Sequence, residues 1–291
     1  MLKICLKFLL IPLSLVLAGV AHAQLAAVKV TDSIQVITGQ GGNIGVFMGD
    51  DGTFMIDDKF PHMSQELMDV LAAIGAENPR FLINTHYHGD HTGGNENFGK
   101  AGSTIVAHHN VRKRLASGGT ISAFNANIPP APEGALPVLT YELDMTFHIN
   151  GDHVRAIHVP AAHTDGDSFV MFEVANVLHT GDLFFNGFYP FIDVENGGSV
   201  QGVIDAASAM LELSNSDTVI IPGHGPLATP ADLENYRDML MVVQERLGER
   251  KAKGMTAQEA AVSDPLADLE EKWGDGRFTG EQWIKIIYDG I

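Results

Sequence analysis

The stretch Thr85-His86-Tyr87-His88-Gly89-Asp90-His91 decides how this chain is interpreted. It places three imidazoles and one carboxylate within six residues, directly after the apolar segment Phe81–Asn84. Neutral imidazole and carboxylate are groups that bind zinc in proteins. In an extended turn, His86 and His88 project to one side, whereas Asp90 and His91 turn toward a second position. The pattern therefore predicts a loop that contributes ligands to two neighbouring metal ions.

Three further segments each combine an apolar strand with a small-residue turn that carries a metal-type ligand. They are Val159-Pro160-Ala161-Ala162-His163-Thr164, Val177-Leu178-His179-Thr180-Gly181-Asp182 and Val219-Ile220-Ile221-Pro222-Gly223-His224-Gly225. Because α/β proteins place their sites at the carboxyl ends of strands, we expect His163, Asp182 and His224 to converge with the first loop. His179 is expected in the core or behind the ligands. The other histidines are interpreted as ordinary surface or core residues: His108, His109, His148, His153 and His158.

In this order the segments resemble the metallo-β-lactamase superfamily, whose pattern is His-x-His-x-Asp-His, then a lone His, a Gly-Asp and a Gly-His. The resemblance extends over about residues 30 to 226. It implies an α/β fold, a four-layer αβ/βα sandwich, with two zinc ions in a groove between two sheets. It also implies a ligand set: His86, His88 and His163 on the first zinc, Asp90, His91 and His224 on the second, and Asp182 bridging the two.

The implied ligands suggest a mechanism. Even one zinc ion lowers the pKa of a bound water to about 7, so a hydroxide is available at neutral pH. We hypothesise that a bridging hydroxide, aimed by Asp90, attacks the carbonyl carbon of a small-molecule substrate. Asp90 is thus the predicted catalytic residue as well as a ligand, and no serine or cysteine nucleophile is required.

The segments near the ligands narrow the substrate. A well-known β-lactamase subclass has a cysteine in place of Asp182 and a lysine soon after it, whereas this chain continues Leu183-Phe184-Phe185-Asn186-Gly187-Phe188-Tyr189. Another subclass shares the first loop but has no acid at the bridging position. Glyoxalase II thioesterases and acyl-homoserine-lactone lactonases share that acid. However, the basic residues of the thioesterases have no counterpart here, and Phe185 replaces the tyrosine of the lactonases.

The leading interpretation is an exported, β-lactamase-like dizinc hydrolase that opens a cyclic amide or ester, with a lactonase or thioesterase of glyoxalase II type as the alternative. Two further classes are an iron-dependent redox enzyme and a non-catalytic zinc-binding protein. The sequence leaves the metal loaded in the cell and the oligomeric state open.

Aromatic residues Phe184, Phe185, Phe188, Tyr189 and Phe191 follow the predicted bridging acid. They suit either the lining of an apolar pocket or core packing. The basic run Arg112-Lys113-Arg114 is interpreted as a solvated face, with attraction of an anionic substrate as the alternative.

The N-terminus has the pattern of a secretory signal peptide. Lys3 and Lys7 precede an apolar run, Phe8–Val20, and a small-residue site that predicts cleavage after Ala23. The run is shorter than the ~20 residues that span a bilayer, so no stable membrane insertion is expected. Residues 1–23 are thus the predicted signal peptide, 24–291 a single domain, and the periplasm the expected location.

Net charge excludes one class of partner. The formal charge is −18, and such a surface repels phosphate backbones, so no nucleic-acid partner is expected.

Hydrophobic periodicity predicts a β-rich segment followed by helices, twice over. Strands are predicted at 27–30, 34–38, 43–48, 54–56, 81–84, 104–107, 145–149, 154–159, 168–173, 177–179 and 218–221. Helices are predicted at 64–74, with Ser64 as its cap, and at 110–116, 200–213 and 230–253. The Pro-rich stretch 128–137 is interpreted as a surface loop that joins the halves or flanks the site.

Overall fold

Strands and helices follow one another in the predicted order. The computed structural model describes residues 24–274 and 276–291, and the predicted signal peptide lies outside the described residues. The strands are β1 Ala26–Lys29, β2 Ile34–Thr38, β3 Ile44–Phe47, β4 Phe54–Ile56, β5 Phe81–Asn84, β6 Thr104–His108, β7 Gly119–Ile121, β8 Ala126–Ile128, β9 Leu139–Tyr141, β10 Asp144–Ile149, β11 Asp152–His158, β12 Ser168–Phe172, β13 Val177–His179 and β14 Val219–Ile221. The α-helices are α1 Ser64–Ala73, α2 Gly89–Thr92, α3 Asn95–Lys100, α4 His109–Ser117, α5 Val200–Glu212, α6 Pro230–Ala252, α7 Ala257–Val262, α8 Glu270–Trp273 and α9 Gly280–Ile287.

Two mixed sheets carry the fold. The first has seven strands in the order β1-β2-β3-β4-β5-β6-β9, and the second has five in the order β10-β11-β12-β13-β14. Strands β4, β5, β6 and β9 run parallel, as do β13 and β14, while the remaining neighbours within each sheet are antiparallel. Strands β7 and β8 form a separate hairpin. The parallel strands therefore end at the edge where the ligand-type residues follow them.

Among the described residues, three larger apolar cores separate four layers. Phe47, Phe54 and Ile83 of the first sheet pack against Phe172 and Ile221 of the second. A second core joins the outer face of the first sheet to α1 and α3, and a third joins the outer face of the second sheet to α5, α6 and the C-terminal helices. Strands β3, β4 and β12 are thus buried at every residue, which explains why they are predominantly apolar, whereas β1, β10 and β11 keep exposed positions. The predicted four-layer αβ/βα sandwich is confirmed.

Side chains cap the starts of several helices, but the predicted cap of α1 is not among them. Thr229, Thr256 and Thr279 each form a capping box at the start of α6, α7 and α9. The prediction that Ser64 caps α1 was wrong. The chain is already helical at Pro61–Met63, so the N-cap position is Met63, and the Ser64 hydroxyl instead donates to the carbonyl of Pro61.

The segment after α6 contributes to the core around the site. The ring of Trp283, in α9, is buried and stacks on Tyr189 with 4.4 Å between centroids. Its indole N–H donates to the carbonyl of Pro190, and the amide of Tyr189 donates to the carbonyl of Trp273. These contacts fix the loop that carries the predicted aromatic cluster. No described helix is both long enough and apolar enough to cross a membrane.

Candidate metal centre

All seven predicted ligand side chains lie together at the edge where the two sheets meet. His86 follows β5, and α2 carries Asp90 and His91. His163 lies in the loop between β11 and β12, Asp182 follows β13, and His224 follows β14. The ligand atoms form two groups within which all atoms lie within 4.8 Å of one another. The first group is His86, His88, His163 and Asp182, and the second is Asp90, His91 and His224.

Asp182 lies between the two groups. Its Oδ2 is 3.7 Å from His86 Nε2 and 3.6 Å from His163 Nε2, both in the first group. Its Oδ1 is 3.1 Å from His91 Nε2, and its Oδ2 is 3.3 Å from His224 Nε2, both in the second group. A carboxylate in this position can bind a cation in each group.

In the first group, two ring nitrogens point their lone pairs at the same position, as they would toward a bound cation. His88 Nε2 lies 2.9 Å from the buried carboxylate of Asp193, and His163 Nδ1 lies 2.7 Å from the carbonyl oxygen of Phe191. Both oxygens only accept, so these nitrogens carry the protons. The opposite ring nitrogens, His88 Nδ1 and His163 Nε2, are then acceptors that face each other at 2.9 Å. Two lone pairs this close repel unless a positive charge lies beside them.

The second group and His86 have the same organisation around Asp57. His91 Nδ1 donates to Asp57 Oδ2 at 2.7 Å, which leaves its Nε2 as the nitrogen that faces the cluster. Thr85 also donates its hydroxyl to Asp57, so this hydroxyl oxygen accepts from His86 Nδ1 at 3.0 Å. His86 Nε2, His91 Nε2 and Asp182 Oδ1 are buried without a hydrogen-bond partner among the described residues. Buried polar atoms normally have a hydrogen-bond partner, so these three atoms are available to bind a cation.

Electrostatics agree with a cation site. Burial lowers the pKa of His163 to about 4, and burial together with His91 lowers that of His86 well below its ordinary value. Both imidazoles are therefore neutral and able to bind a metal. Burial opposes a charge on His91, but Asp182, Asp90 and Asp57 raise its pKa well above the ordinary value. These carboxylates thus favour positive charge at the centre of the cluster, and the donor set fits a metal.

Two glycines allow the backbone to approach the ligands closely. A Cβ on Gly42 would collide with the ring of His91, and one on Gly223 would collide with the Asp182 carboxylate and the backbone of Gly181. The amide of Asn43, next to Gly42, donates to the carbonyl of Gly223 at 2.7 Å. The loops before β3 and after β14 therefore close over the cluster from both sheets.

A cavity of about 460 Å³ opens beside the cluster. Its lining includes His88, Asp90, Asp182 and His224 at one end and an apolar wall. That wall comprises Phe60, Ile121, Phe124, Ile128, Phe185, Phe188, Tyr189, Phe191 and Phe278. Of the predicted aromatic cluster, four residues line the cavity, whereas Phe184 is buried in the core against Tyr236.

The basic run does not line the cavity. The guanidinium of Arg114 instead forms ion-pair hydrogen bonds with Asp165 at 2.6 and 2.8 Å and lies over the ring of Tyr87. Arg112 donates to the carbonyl of Pro137. His179 is buried, with Nε2 3.1 Å from the carbonyl of Asn43, as expected for a residue behind the ligands.

A family model provides the decisive comparison. The model of the metallo-beta-lactamase superfamily matches residues 37–224, which include every side chain of the two groups. The chain belongs to the metallo-beta-lactamase superfamily. The predicted resemblance is confirmed, and the superfamily is one of metal-dependent hydrolases.

Individual superfamily relatives are distant. The lactamase-like protein nscB of Arthroderma gypseum is 27% identical over 204 residues, which are 63% of this chain and 55% of that relative. The chain therefore spans about half the length of this curated relative. A metallo-beta-lactamase from Pontibacter korlensis superposes with a TM-score of 0.59 and 18% identity over 75% of this chain and 99% of its own. The sec-alkylsulfatase Pisa1 from a Pseudomonas species superposes with a TM-score of 0.67 and 18% identity over 91% of this chain and 50% of its own. These structures show the same fold.

Sequence reasoning missed the residues that support the ligands. Asp57 and Lys59 follow β4 with positive φ of 63° and 66°, an unusual conformation for residues with side chains. Asp57 follows the end of a strand, as Asp182 does, and this position could have indicated a functional role. Lys59 is fully buried, and its Nζ has no hydrogen-bond partner among the described residues. Asp193, behind His88, lies in a loop and had no local signal.

Proposed function

We propose that the chain is a dizinc hydrolase that opens a cyclic amide or ester of a small, largely apolar substrate. One observation carries the proposal: two groups of inward-facing ligand atoms, joined by Asp182, border a cavity with aromatic walls. His86, His88 and His163 would hold one ion, and Asp90, His91 and His224 the other. Zinc bound there supplies Lewis acidity and a water that is deprotonated near neutral pH.

Other steps depend on side chains of the protein: they position the ligands, orient the attacking water and exclude bulk water. Asp193 and Asp57 keep protons on the outer nitrogens of His88 and His91, so the inner nitrogens stay available. Asp90 borders the cavity, and its Oδ2 lies 3.4 Å from His224 Nε2. From there Asp90 can orient the attacking water and hold its proton, which is the role proposed for it as the catalytic residue. Phe185 and Phe188 exclude bulk water from the acyl group of the substrate.

A lactonase or a thioesterase of glyoxalase II type is the second candidate. The same ligand atoms would serve it, the acid at position 182 matches the acid of these enzymes, and the apolar wall can accommodate an acyl chain. An iron-dependent redox enzyme and a non-catalytic zinc-binding protein make different predictions for metal content and turnover. The fold shared with an alkylsulfatase adds sulfate esters to the substrates worth testing.

The decisive experiment combines metal analysis with a substrate panel. The purified protein, loaded with zinc, is analysed for metal content and assayed on a β-lactam, an acyl lactone, a glutathione thioester and an alkyl sulfate. We expect two zinc ions per chain and hydrolysis of the amide or the ester. Asp90→Asn should lower kcat far more than it weakens substrate binding, while Asp217→Asn, at an exposed position, should change neither. Fewer than two ions, bound iron, or turnover that persists after chelation would each overturn the proposal.

Export is proposed separately. In a bacterial host the full chain should appear in the periplasm with Gln24 as its first residue, and mass spectrometry of the mature protein tests this. Retention of residues 1–23 in a cytoplasmic product would contradict it.

A further inference from the structure

The far wall of the cavity comes from a segment outside the family match. Gly276, Arg277 and Phe278 line the cavity, whereas the superfamily model ends at residue 224. A Cβ on Gly276 would collide with the ring of Phe188, so this backbone lies directly against the aromatic wall. The Phe278 ring lies 6.1 Å from Phe124 and 6.4 Å from Phe191, between centroids. The segment is therefore an integral part of the cavity.

The segment is held at both ends. On one side, the carbonyl of Trp273 accepts from the amide of Tyr189 at 2.8 Å. On the other, Phe278 is buried, and Thr279 begins α9 with a capping box. Arg277 directly precedes the second of these anchors.

Arg277 is the one lysine or arginine among the described residues that line the cavity. Its guanidinium lies over the ring of Phe124, 5.0 Å from the centroid. Arg114 and Arg246 each have a carboxylate partner, but within residues 24–274 and 276–291 no carboxylate forms an ion pair with Arg277. A guanidinium presents five donors in a fork that matches a carboxylate. In a chain of net charge −18, this cation is placed where a ligand can reach it.

We propose that Arg277 selects substrates that carry a carboxylate at the end remote from the bond to be cleaved. The inference rests on the proposed function for the cleavage itself: water adds across the acyl bond, which yields a carboxylic acid and the leaving alcohol or amine. Arg277 is a specificity residue in this scheme and takes no part in that step. The substrate class is thus an acyl compound with an apolar middle and an anionic end.

Binding to the metal-free protein tests the proposal independently of turnover. Without metal, the ligand-type residues at the other end present carboxylates that repel an anion, so Arg277 is the group that can favour one. We expect calorimetry to show that 4-phenylbutyrate binds more tightly than the neutral 4-phenylbutanamide. Arg277→Gln should weaken binding of the anion about tenfold, the equivalent of one charge-assisted hydrogen bond, and leave the amide unchanged. Arg277→Lys should restore part of the difference.

Lys272→Gln is the matched control, because Lys272 belongs to the same part of the chain and lies over Trp273 at 4.9 Å, away from the cavity lining. This variant should bind both compounds as the unaltered protein does. Equal affinity of Arg277→Gln and the unaltered protein for 4-phenylbutyrate would overturn the proposal. So would an equal loss for the anion and the amide, since that result indicates a damaged wall.

Kinetics provide the second readout. The zinc-loaded protein is assayed on the mono-4-nitrophenyl ester of adipic acid and on 4-nitrophenyl hexanoate, which differ in the terminal carboxylate. Arg277→Gln should raise KM for the adipate ester with little change in kcat, and leave the hexanoate unaffected. Unchanged constants for both esters would refute the role of Arg277 while leaving the hydrolase intact. Absence of hydrolysis of both esters and of the β-lactam and acyl lactone of the substrate panel, with the calorimetric difference present, would refute the proposed function alone.

Discussion

Replacing Asp193 by asparagine should weaken metal binding in the group formed by His86, His88, His163 and Asp182. Asp193 is 2% exposed, and its Oδ2 accepts from His88 Nε2 at 2.9 Å and from the Tyr87 hydroxyl at 2.6 Å. A carboxylate can only accept, so it holds the His88 proton on Nε2. An asparagine can turn its N–H₂ toward His88 instead. The proton would then move to Nδ1 and remove the lone pair that faces the site.

The size of the effect follows from this single hydrogen bond. A hydrogen bond to a charged group contributes about 1.5–3 kcal/mol and a neutral one about 1 kcal/mol. The exchange therefore costs about 1–2 kcal/mol, which corresponds to a loss of about 5- to 30-fold in affinity. Outer partners of zinc-bound histidines typically contribute about 10- to 100-fold, in agreement with this figure.

The assay is a competition titration of zinc against a chromophoric chelator, which resolves two binding steps. Asp57→Asn provides the matched comparison, because Asp57 holds His91 of the other group in the same way. We expect the two variants to weaken different steps and Asp217→Asn to weaken neither. Thermal unfolding of the metal-free proteins checks that each variant is folded. Unchanged affinity of folded Asp193→Asn, or loss of the same step in both variants, would refute the reasoning.

Three further predictions concern close packing, pH and metal removal. Gly42→Ala should abolish binding at the His91 group because its Cβ meets the His91 ring, whereas Gly248→Ala, where a Cβ meets nothing, should bind normally in the same titration. Burial lowers the pKa of Lys59 from 10.5 to about 8, although Asp90, Asp57 and Glu66 oppose this. A base with a lowered folded-state pKa adds stability above the unfolded value, and this stability is lost as pH falls through the folded value. The metal-free protein should therefore lose about 3 kcal/mol of unfolding free energy between pH 10.5 and 8 relative to Lys59→Met, as measured by urea unfolding; equal slopes would contradict it. Zinc at a hundred times the Kd of a site should add about 2.7 kcal/mol to stability for each site that it fills, and chelation should lower Tm accordingly, less so in His224→Ala. A Tm that does not change when chelator is added would exclude tight binding of zinc.

The sequence predicted the parts of the site that depend on local pattern. In the loop after β5, the extended backbone directs the side chains of His86 and His88 to one side. The backbone changes direction where α2 begins, so Asp90 and His91 point to a second position. His163, Asp182 and His224 follow strands, and parallel strands carry their following residues to one edge. These rules need only neighbouring residues, so the sequence was sufficient to bring the seven side chains together.

Features that depend on long-range packing were not predictable in the same way. Strand β9 is short and half exposed, and it is a strand because it pairs with β6. Asp193 lies 105 residues from His88 in the chain, and nothing in its own loop indicates a partner. The helices α7 to α9 are short, and no local pattern indicates that the segment after Trp273 packs against the loop of Tyr189. Consequently the cavity wall formed by Arg277 and Phe278 could not be anticipated.

The origin of that wall separates two properties of the protein. The side chains that would hold the metals are complete at residue 224, whereas part of the far cavity wall is formed by Gly276, Arg277 and Phe278, much later in the chain. Mutations in the later segment can therefore alter which molecules fit without disturbing the chemistry of the centre. If the proposed hydrolysis and the role of Arg277 hold, such an arrangement would let selectivity change while the reaction stays constant, and the few residues around Phe278 would be the positions to mutate in order to alter the range of substrates.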